Sequence, residues 1–352
     1  MSRADRLTAL LEERELDSLL VTNLVNVRYL TGFTGTNGAC VVARHERLFL
    51  TDSRYVEQAK QEVTEFERLE ASRELLGDLA KRLSGRAGFD DAHVSVKAHR
   101  LLGEKAADGV ELVPAGGLVE RLRAVKDEEE LAAMRAAAAV ADRAYERLRE
   151  DGLVGRTERE VARSIVRFLE DQGADEASFP LIVAAGAHGA LPHASPRDVE
   201  IQRGLLVVVD LGARLDGYCS DCTRTFATGP LDDRQEQGYE VVLGAQQAAL
   251  AEVRAGAVCS EVDAMAREQV EAGFGTGFDH GLGHGVGLEV HEGPRLARTA
   301  EGSLEAGNVV TVEPGLYVPG EFGIRIEDLV VVSDDGRAIL TGFPKELVTV
   351  DG

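Results

Sequence analysis

A chain of 352 residues exceeds what one hydrophobic core usually organises, so two domains are the first expectation. Its 39 basic residues against 61 acidic ones leave a formal charge of −22, which excludes nonspecific attachment to a phosphate backbone and argues against a nucleic-acid partner. No run approaches the roughly 18 apolar residues of a membrane helix, and charges punctuate the N-terminal segment where a signal peptide needs an apolar core, so the chain reads as soluble, cytoplasmic and without a membrane partner.

Short apolar runs at 18–22, 39–43 and 47–51, separated by polar and Gly-containing turns and joined by helical stretches at 54–62 and 74–83, predict a small α/β domain over residues 1–122. A long Ala-rich helix at 127–150, with Leu131, Met134, Ala138, Ala141 and Tyr145 at helical spacing, opens a second domain over 123–352. The next helix is capped by Thr157, with Glu160 three residues on completing a capping box. The run 205–211 then reads as a buried strand that turns at Leu215-Asp216-Gly217 and returns over 218–225.

The same order recurs downstream: a helix at 232–254, a helix capped by Ser260 with Asp263 three residues on, a histidine-rich loop, and a hairpin turning at Pro319-Gly320. Thr157 to Asp210 and Ser260 to Glu313 are both 53 residues, which predicts an internal duplication. Of the four cysteines, Cys40 and Cys259 stand alone, and Cys219 and Cys222 form a C-x-x-C with no second pair to complete a zinc site. Reduced thiols are the expectation in a cytoplasmic protein.

Residues equidistant from a hairpin's centre face each other on one side of the sheet. Asp210 and Asp221 flank the first turn in this way, and Glu313 and Glu327 flank Gly320 in the second. Two opposed pairs of acids in apolar strands require a counter-charge. Arg325, on the same strand face as Glu327, can neutralise one acid and not four. Divalent cations answer the remainder, and four carboxylates with the imidazole of His284 suit Mn²⁺, Co²⁺, Fe²⁺ or Zn²⁺ rather than a thiolate site. Two such ions sharing a water point to hydrolysis. His280 and His284 do not form the H-E-x-x-H of zinc peptidases, because Gly281 stands where the glutamate belongs. The glycines at 281, 283, 285 and 287 fit instead the close approach of backbone to a crowded site.

The segments Val209-Asp210-Leu211-Gly212, Ser220 to Thr225, His280 to Gly287, Val290-His291-Glu292, Val312 to Gly315 and Ile324 to Asp328 resemble the pita-bread metallopeptidases, which include methionine aminopeptidases, aminopeptidase P and the Xaa-Pro dipeptidases (prolidases). Tyr29 to Phe33 and Thr51 to Tyr55 resemble the extra N-terminal domain of the proline-specific members, so the likeness spans nearly the whole chain and implies a creatinase-like α/β domain ahead of a pita-bread catalytic domain with a pseudo-twofold duplication. It further implies that Asp221 and Glu327 bridge two divalent ions, Mn²⁺ or Co²⁺ first, that Asp210 chelates one, and that His284 and Glu313 complete the other. Glu313 is then the proton shuttle, His193 and His291 contact the scissile amide, His280 lines the pocket, Arg325 orients an acidic ligand, and Phe179 walls a proline pocket. The implied substrates are short proline-containing peptides and the implied assembly is a homodimer. Methionine aminopeptidase chemistry, a metal-free creatinase-like reaction and a noncatalytic binding role are the competing readings.

Overall fold

The computed structural model describes residues 1–72 and 74–351. Two compact units divide it, Met1–Arg123 and Ala124–Gly352.

In the first unit, helices α1 (Arg3–Glu13), α2 (Leu24–Thr31), α3 (Val56–Glu62), α4 (Leu75–Ala80), α5 (Val96–Lys105) and α6 (Leu118–Ala124) accompany strands β1 (Ser18–Val21), β2 (Gly38–Ala43), β3 (Arg47–Thr51), β4 (Glu67–Glu70), β5 (Arg86–Phe89) and β6 (Glu111–Pro114). The strands make one mixed sheet in the order β4-β3-β2-β1-β5-β6, with β1, β5 and β6 parallel. Helix α1 begins at a capping box between Ser2 and Asp5 and buries Ala4, Leu7, Leu10 and Leu11. Its charges mark a solvated face.

The second unit contains α7 (Glu128–Asp151), α8 (Glu158–Asp171), β7 (Glu176–Ala177), β8 (Ile182–Ala185), β9 (Leu206–Leu211), β10 (Ala213–Leu215), β11 (Tyr218–Cys219) and β12 (Cys222–Ala227). After these come α9 (Asp233–Glu252), α10 (Cys259–Phe274), β13 (Gly283–Gly285), β14 (Glu292–Leu296), β15 (Val309–Val312), β16 (Gly315–Val318), β17 (Phe322–Arg325), β18 (Asp328–Ser333) and β19 (Gly336–Ile339). Among the described residues no helix is long and apolar enough to cross a membrane.

Helix α7 buries the Ala-rich stripe expected of it, and the Tyr145 hydroxyl serves both hairpin strands behind the site, donating 2.7 Å to the Cys222 carbonyl and lying 3.0 Å from that of Val209. Helix α8 starts at the expected Thr157 capping box. Helix α10 does not start at Ser260. Its N-cap is Val258, with no side-chain cap, and Asp263 is instead buried in a pair with Arg267.

The equal 53-residue spacing therefore does not hold, since Val258 to Glu313 is 55 residues. The repeat survives at other positions. Gly155 N–H donates to Ile201 O and Ile201 N–H to Arg156 O; Gly256 N–H donates to Leu304 O and Leu304 N–H to Ala257 O. Ile201 to Asp210 and Leu304 to Glu313 then keep one spacing, so the second half carries its two extra residues before Leu304, where no acidic ligand depends on them.

The first hairpin also turns one residue later than expected. Asp216 and Gly217 both take positive φ, 49° and 79°, as a two-residue turn requires. Leu215 then pairs with Tyr218 and Asp210 with Thr223. Asp221 is a diagonal neighbour of Asp210 rather than its opposite, still on the same face. The second hairpin keeps the expected centre: Val312 faces Asp328 and Gly315 faces Arg325, a register that sets Glu313 across from Glu327.

The difference between the two caps is measurable. Thr157→Ala removes a bonded cap and lowers stability by about 1 kcal/mol, whereas Ser260→Ala leaves the melting temperature unchanged. A comparable loss in both variants would restore Ser260 as a cap.

Candidate metal centre

Asp210 near the end of β9, Asp221 just before β12, His284 in the middle of β13, Glu313 between β15 and β16, and Glu327 between β17 and β18 line one cavity of about 480 Å³. Carboxylate oxygens of Asp210, Asp221 and Glu327 lie within 4.8 Å of one another. His284 Nε2 is 3.6 Å from Asp221 Oδ2 and 3.3 Å from Glu313 Oε1. Gly283 and Gly285 make room for this strand: a Cβ on either would stand about 2 Å from a carbonyl oxygen of β15 or of the Gly293 backbone.

The counter-charges from the protein are insufficient. Arg325 reaches Asp210 Oδ2 at 2.8 Å and spends its other donors on Thr223 Oγ1, the Pro192 carbonyl and the Tyr317 hydroxyl. Thr223 donates to Glu327 Oε2 at 2.7 Å, and Thr311 to Glu313 Oε1 at 3.1 Å. Asp210 Oδ1 and Glu327 Oε1 stay buried with no hydrogen-bond donor. Orphaned buried carboxylate oxygens are costly, and here both belong to residues of the carboxylate cluster, which fits divalent cations.

The titration behaviour of the metal-free protein agrees. Burial, followed by the charges of Glu327, Asp210 and Glu313, pushes the Asp221 carboxyl well above the usual range, and burial with Glu313 and Asp210 does the same to Glu327. Burial raises Glu313 as well. Burial lowers His284, His280 and His291, keeping the imidazoles neutral. His284 Nδ1–H donates to the Gly285 carbonyl at 3.1 Å, so Nε2 presents its lone pair to the acids.

His193, His280, His291, Arg325 and Phe179 line the same cavity, so all ten residues singled out from the sequence come together. The His291 ring lies 4.4 Å from that of His284. His280 donates from Nδ1 to the Gly281 carbonyl and accepts at Nε2 from Tyr317, 2.9 Å away. His188 does not join them. It is buried against Glu158.

Sequence reasoning missed five residues. Thr223 and Thr311 orient Glu327 and Glu313, and Tyr317 links Arg325 to His280. Alternation along β12 and β16 was the available signal for Thr223 and Tyr317, once the register was known. Arg295, paired across from His284 on β14, brings a cation to the cavity. Glu158, fully buried at the start of α8, accepts from the N–H groups of Ala185 and Arg197 and from the side chains of His188 and Arg197. It clasps both ends of the loop that carries His193, and nothing in the local sequence marks it.

Residues 132–334 match metallopeptidase family M24, and residues 3–125 match the creatinase/prolidase N-terminal domain. An Xaa-Pro dipeptidase of Pyrococcus furiosus is 34% identical over 354 residues, covering 98% of this chain and 99% of that one. Two solved structures superpose closely. An Xaa-Pro dipeptidase from Bacillus anthracis has a TM-score of 0.95 at 37% identity, covering 99% of each chain. An X-Pro aminopeptidase from Thermotoga maritima has a TM-score of 0.91 at 35% identity, covering 99% of this chain and 100% of that one.

The carboxylate repulsion makes a stability prediction. A native acid with a raised pKa binds protons more readily than the unfolded chain, so its penalty is present at neutral pH and disappears once pH falls below the unfolded value, about 4. Metal-free Glu327→Gln therefore melts above metal-free wild type at neutral pH, by a margin that shrinks as pH falls, while peptide hydrolysis is lost. Equal melting temperatures across that range would remove the claim.

Proposed function

The chain belongs to metallopeptidase family M24, with a creatinase/prolidase N-terminal domain, and on that premise we propose that it is an Xaa-Pro dipeptidase, hydrolysing the bond between an N-terminal residue and a following proline. The observation that carries the dipeptide preference is Arg295 in the cavity beside the carboxylate cluster. In an Xaa-Pro dipeptide the free carboxylate belongs to the proline itself, next to the scissile bond, and a guanidinium lining the same cavity is there to pair with it. A longer peptide offers a neutral amide there.

In this reading Asp210, Asp221, His284, Glu313 and Glu327 would together hold two divalent ions, with Mn²⁺ or Co²⁺ as the first choice and Zn²⁺ or Fe²⁺ compatible with the same donors. Bound there, the pair supplies Lewis acidity toward the scissile carbonyl and toward water. Arg325 and Thr223 hold Asp210 and Glu327 in place through the hydrogen bonds described above. Glu313 takes a proton from the attacking water on a carboxylate oxygen and delivers it to the proline nitrogen as the C–N bond breaks. His193 and His291, which line the cavity, donate to the carbonyl oxygen as it gains negative charge and its carbon becomes tetrahedral. Phe179, Pro180, Leu181 and Ile182 offer the pyrrolidine ring an apolar wall. The protein acts in the cytoplasm as a homodimer, and light scattering of the purified protein reads the dimer mass.

The likeness to the Thermotoga maritima enzyme favours a second reading, Xaa-Pro aminopeptidase. Mn²⁺-loaded protein incubated with Ala-Pro and with Ala-Pro-Ala separates the two: faster release from Ala-Pro supports the dipeptidase, faster release from the tripeptide the aminopeptidase, and no release from either sinks both. Arg295→Met raises KM for Ala-Pro with little change for the tripeptide. His193→Ala lowers kcat by about 10²–10³.

A further inference from the structure

The first unit holds a side-chain cluster that peptide hydrolysis does not use. Because β1, β5 and β6 run parallel side by side, their carboxyl ends open along one edge, the place where open α/β sheets bind ligands. Each end is followed by polar side chains that converge there: Asn23 and Asn26 after β1, Asp90 and His93 after β5, and Glu120, on α6, after β6. One ligand atom each of Asp90, His93 and Glu120 lies within 4.8 Å of the others, and His93 Nε2 is 3.9 Å from Asp90 Oδ2.

Asp90 has one oxygen that no donor serves. Its side chain is only 8% exposed; Oδ1 accepts from the Ala92 N–H at 3.1 Å, whereas Oδ2, facing His93, is buried without a hydrogen-bond partner. His93 Nε2 is itself an acceptor. The Asn23 amide oxygen is committed to the Val25 N–H, so the group 2.8 Å from Nε2 is the amide NH₂, which only donates. An imidazole acceptor thus lies 3.9 Å from a buried carboxylate oxygen that accepts no hydrogen bond. Glu120 is oriented by Asn26 at 2.6 Å, and Asn26 in turn by Arg123 at 2.8 Å, the outer-shell support that ligating carboxylates have in metal sites.

We propose that Asp90, His93 and Glu120 form a separate metal site in the N-terminal domain that takes one Zn²⁺-like divalent ion and ties together the segments following β5 and β6. Two carboxylates and one imidazole are a three-ligand set with room for water in the fourth position. With bonds of about 2.0–2.2 Å, tetrahedral edges are about 3.4 Å, so the His93–Asp90 pair closes by about half an ångström on binding. The ion takes over the Nε2 lone pair now held by the Asn23 amide.

Equilibrium dialysis of the full-length protein against Zn²⁺, followed by metal counting by mass spectrometry, tests this. His93→Ala and Asp90→Asn each hold one ion fewer per chain than wild type, with Ala-Pro hydrolysis unchanged, while His45→Ala, an exposed histidine elsewhere on the same domain, holds the wild-type number. The His93 side chain is 45% exposed, so its variant folds and decides the matter even where the Asp90 variant does not. Equal ion counts in wild type and His93→Ala, or an ion lost from His45→Ala as well, overturn the site.

Discussion

Four carboxylates gathered in one cavity, three of them almost wholly out of water, and faced by one imidazole, are the constraint around which the catalytic unit is organised. Left to themselves they repel, and burial adds its own penalty to each charged form. The protein supplies one arginine and two hydroxyls from its own side chains, which serve three carboxylate oxygens and leave Asp210 Oδ1 and Glu327 Oε1 fully buried without a donor. That deficit is what suits the site to divalent cations. A sequence optimised for stability alone would replace one of these acids, and the fold retains them as a functional centre.

Much of the surrounding structure holds the acids against that repulsion. Glu327 and Asp328 are adjacent and point to opposite faces, as strand geometry requires. Glu327 enters the cavity, while Asp328 goes to the far side, where Arg224, Gln246, Thr341 and Lys345 bind its two oxygens at 2.6–3.0 Å. Arg224, itself buried, also donates to the Glu327 carbonyl and to the carbonyls of Phe343 and Pro344. A second buried ion network thus anchors the backbone of the ligand hairpin from behind. Tyr145 does the same for β9 and β12 through their carbonyls. The C-x-x-C lies in this backing layer: both thiols are buried and burial raises their pKa values, so Cys219 and Cys222 are neutral packing residues of the hairpin and not a reactive pair.

The histidines divide by what holds them. His280 is tied at both nitrogens, and through Tyr317 to Arg325, whereas His193 and His291 line the same cavity and are exposed to solvent. The loop bearing His193 is secured at its base by Glu158 and near its tip by the Arg325 bond to the Pro192 carbonyl. Arg325 therefore couples Asp210 to the loop that carries His193.

The sequence by itself determined the chemistry of the centre, because hairpin symmetry and the cost of buried acids are local properties. Two turns and four acids sufficed to place Asp210, Asp221, Glu313 and Glu327 on common faces, and His284 followed from the motif around it. It also determined the capped start of α8, whose Thr157–Glu160 box acts within one turn of helix. Tertiary structure decided what depends on distant partners. The Asp216-Gly217 turn moved the register so that Thr223, not Asp221, faces Asp210, and α10 began at Val258 because Asp263 was needed by Arg267 and the Leu282 N–H rather than by a cap. Glu158, Tyr317 and Arg295 belong to the site only through contacts that no local spacing encodes. Such pairings form between segments far apart in the chain, where only the packed fold brings donor and acceptor within reach.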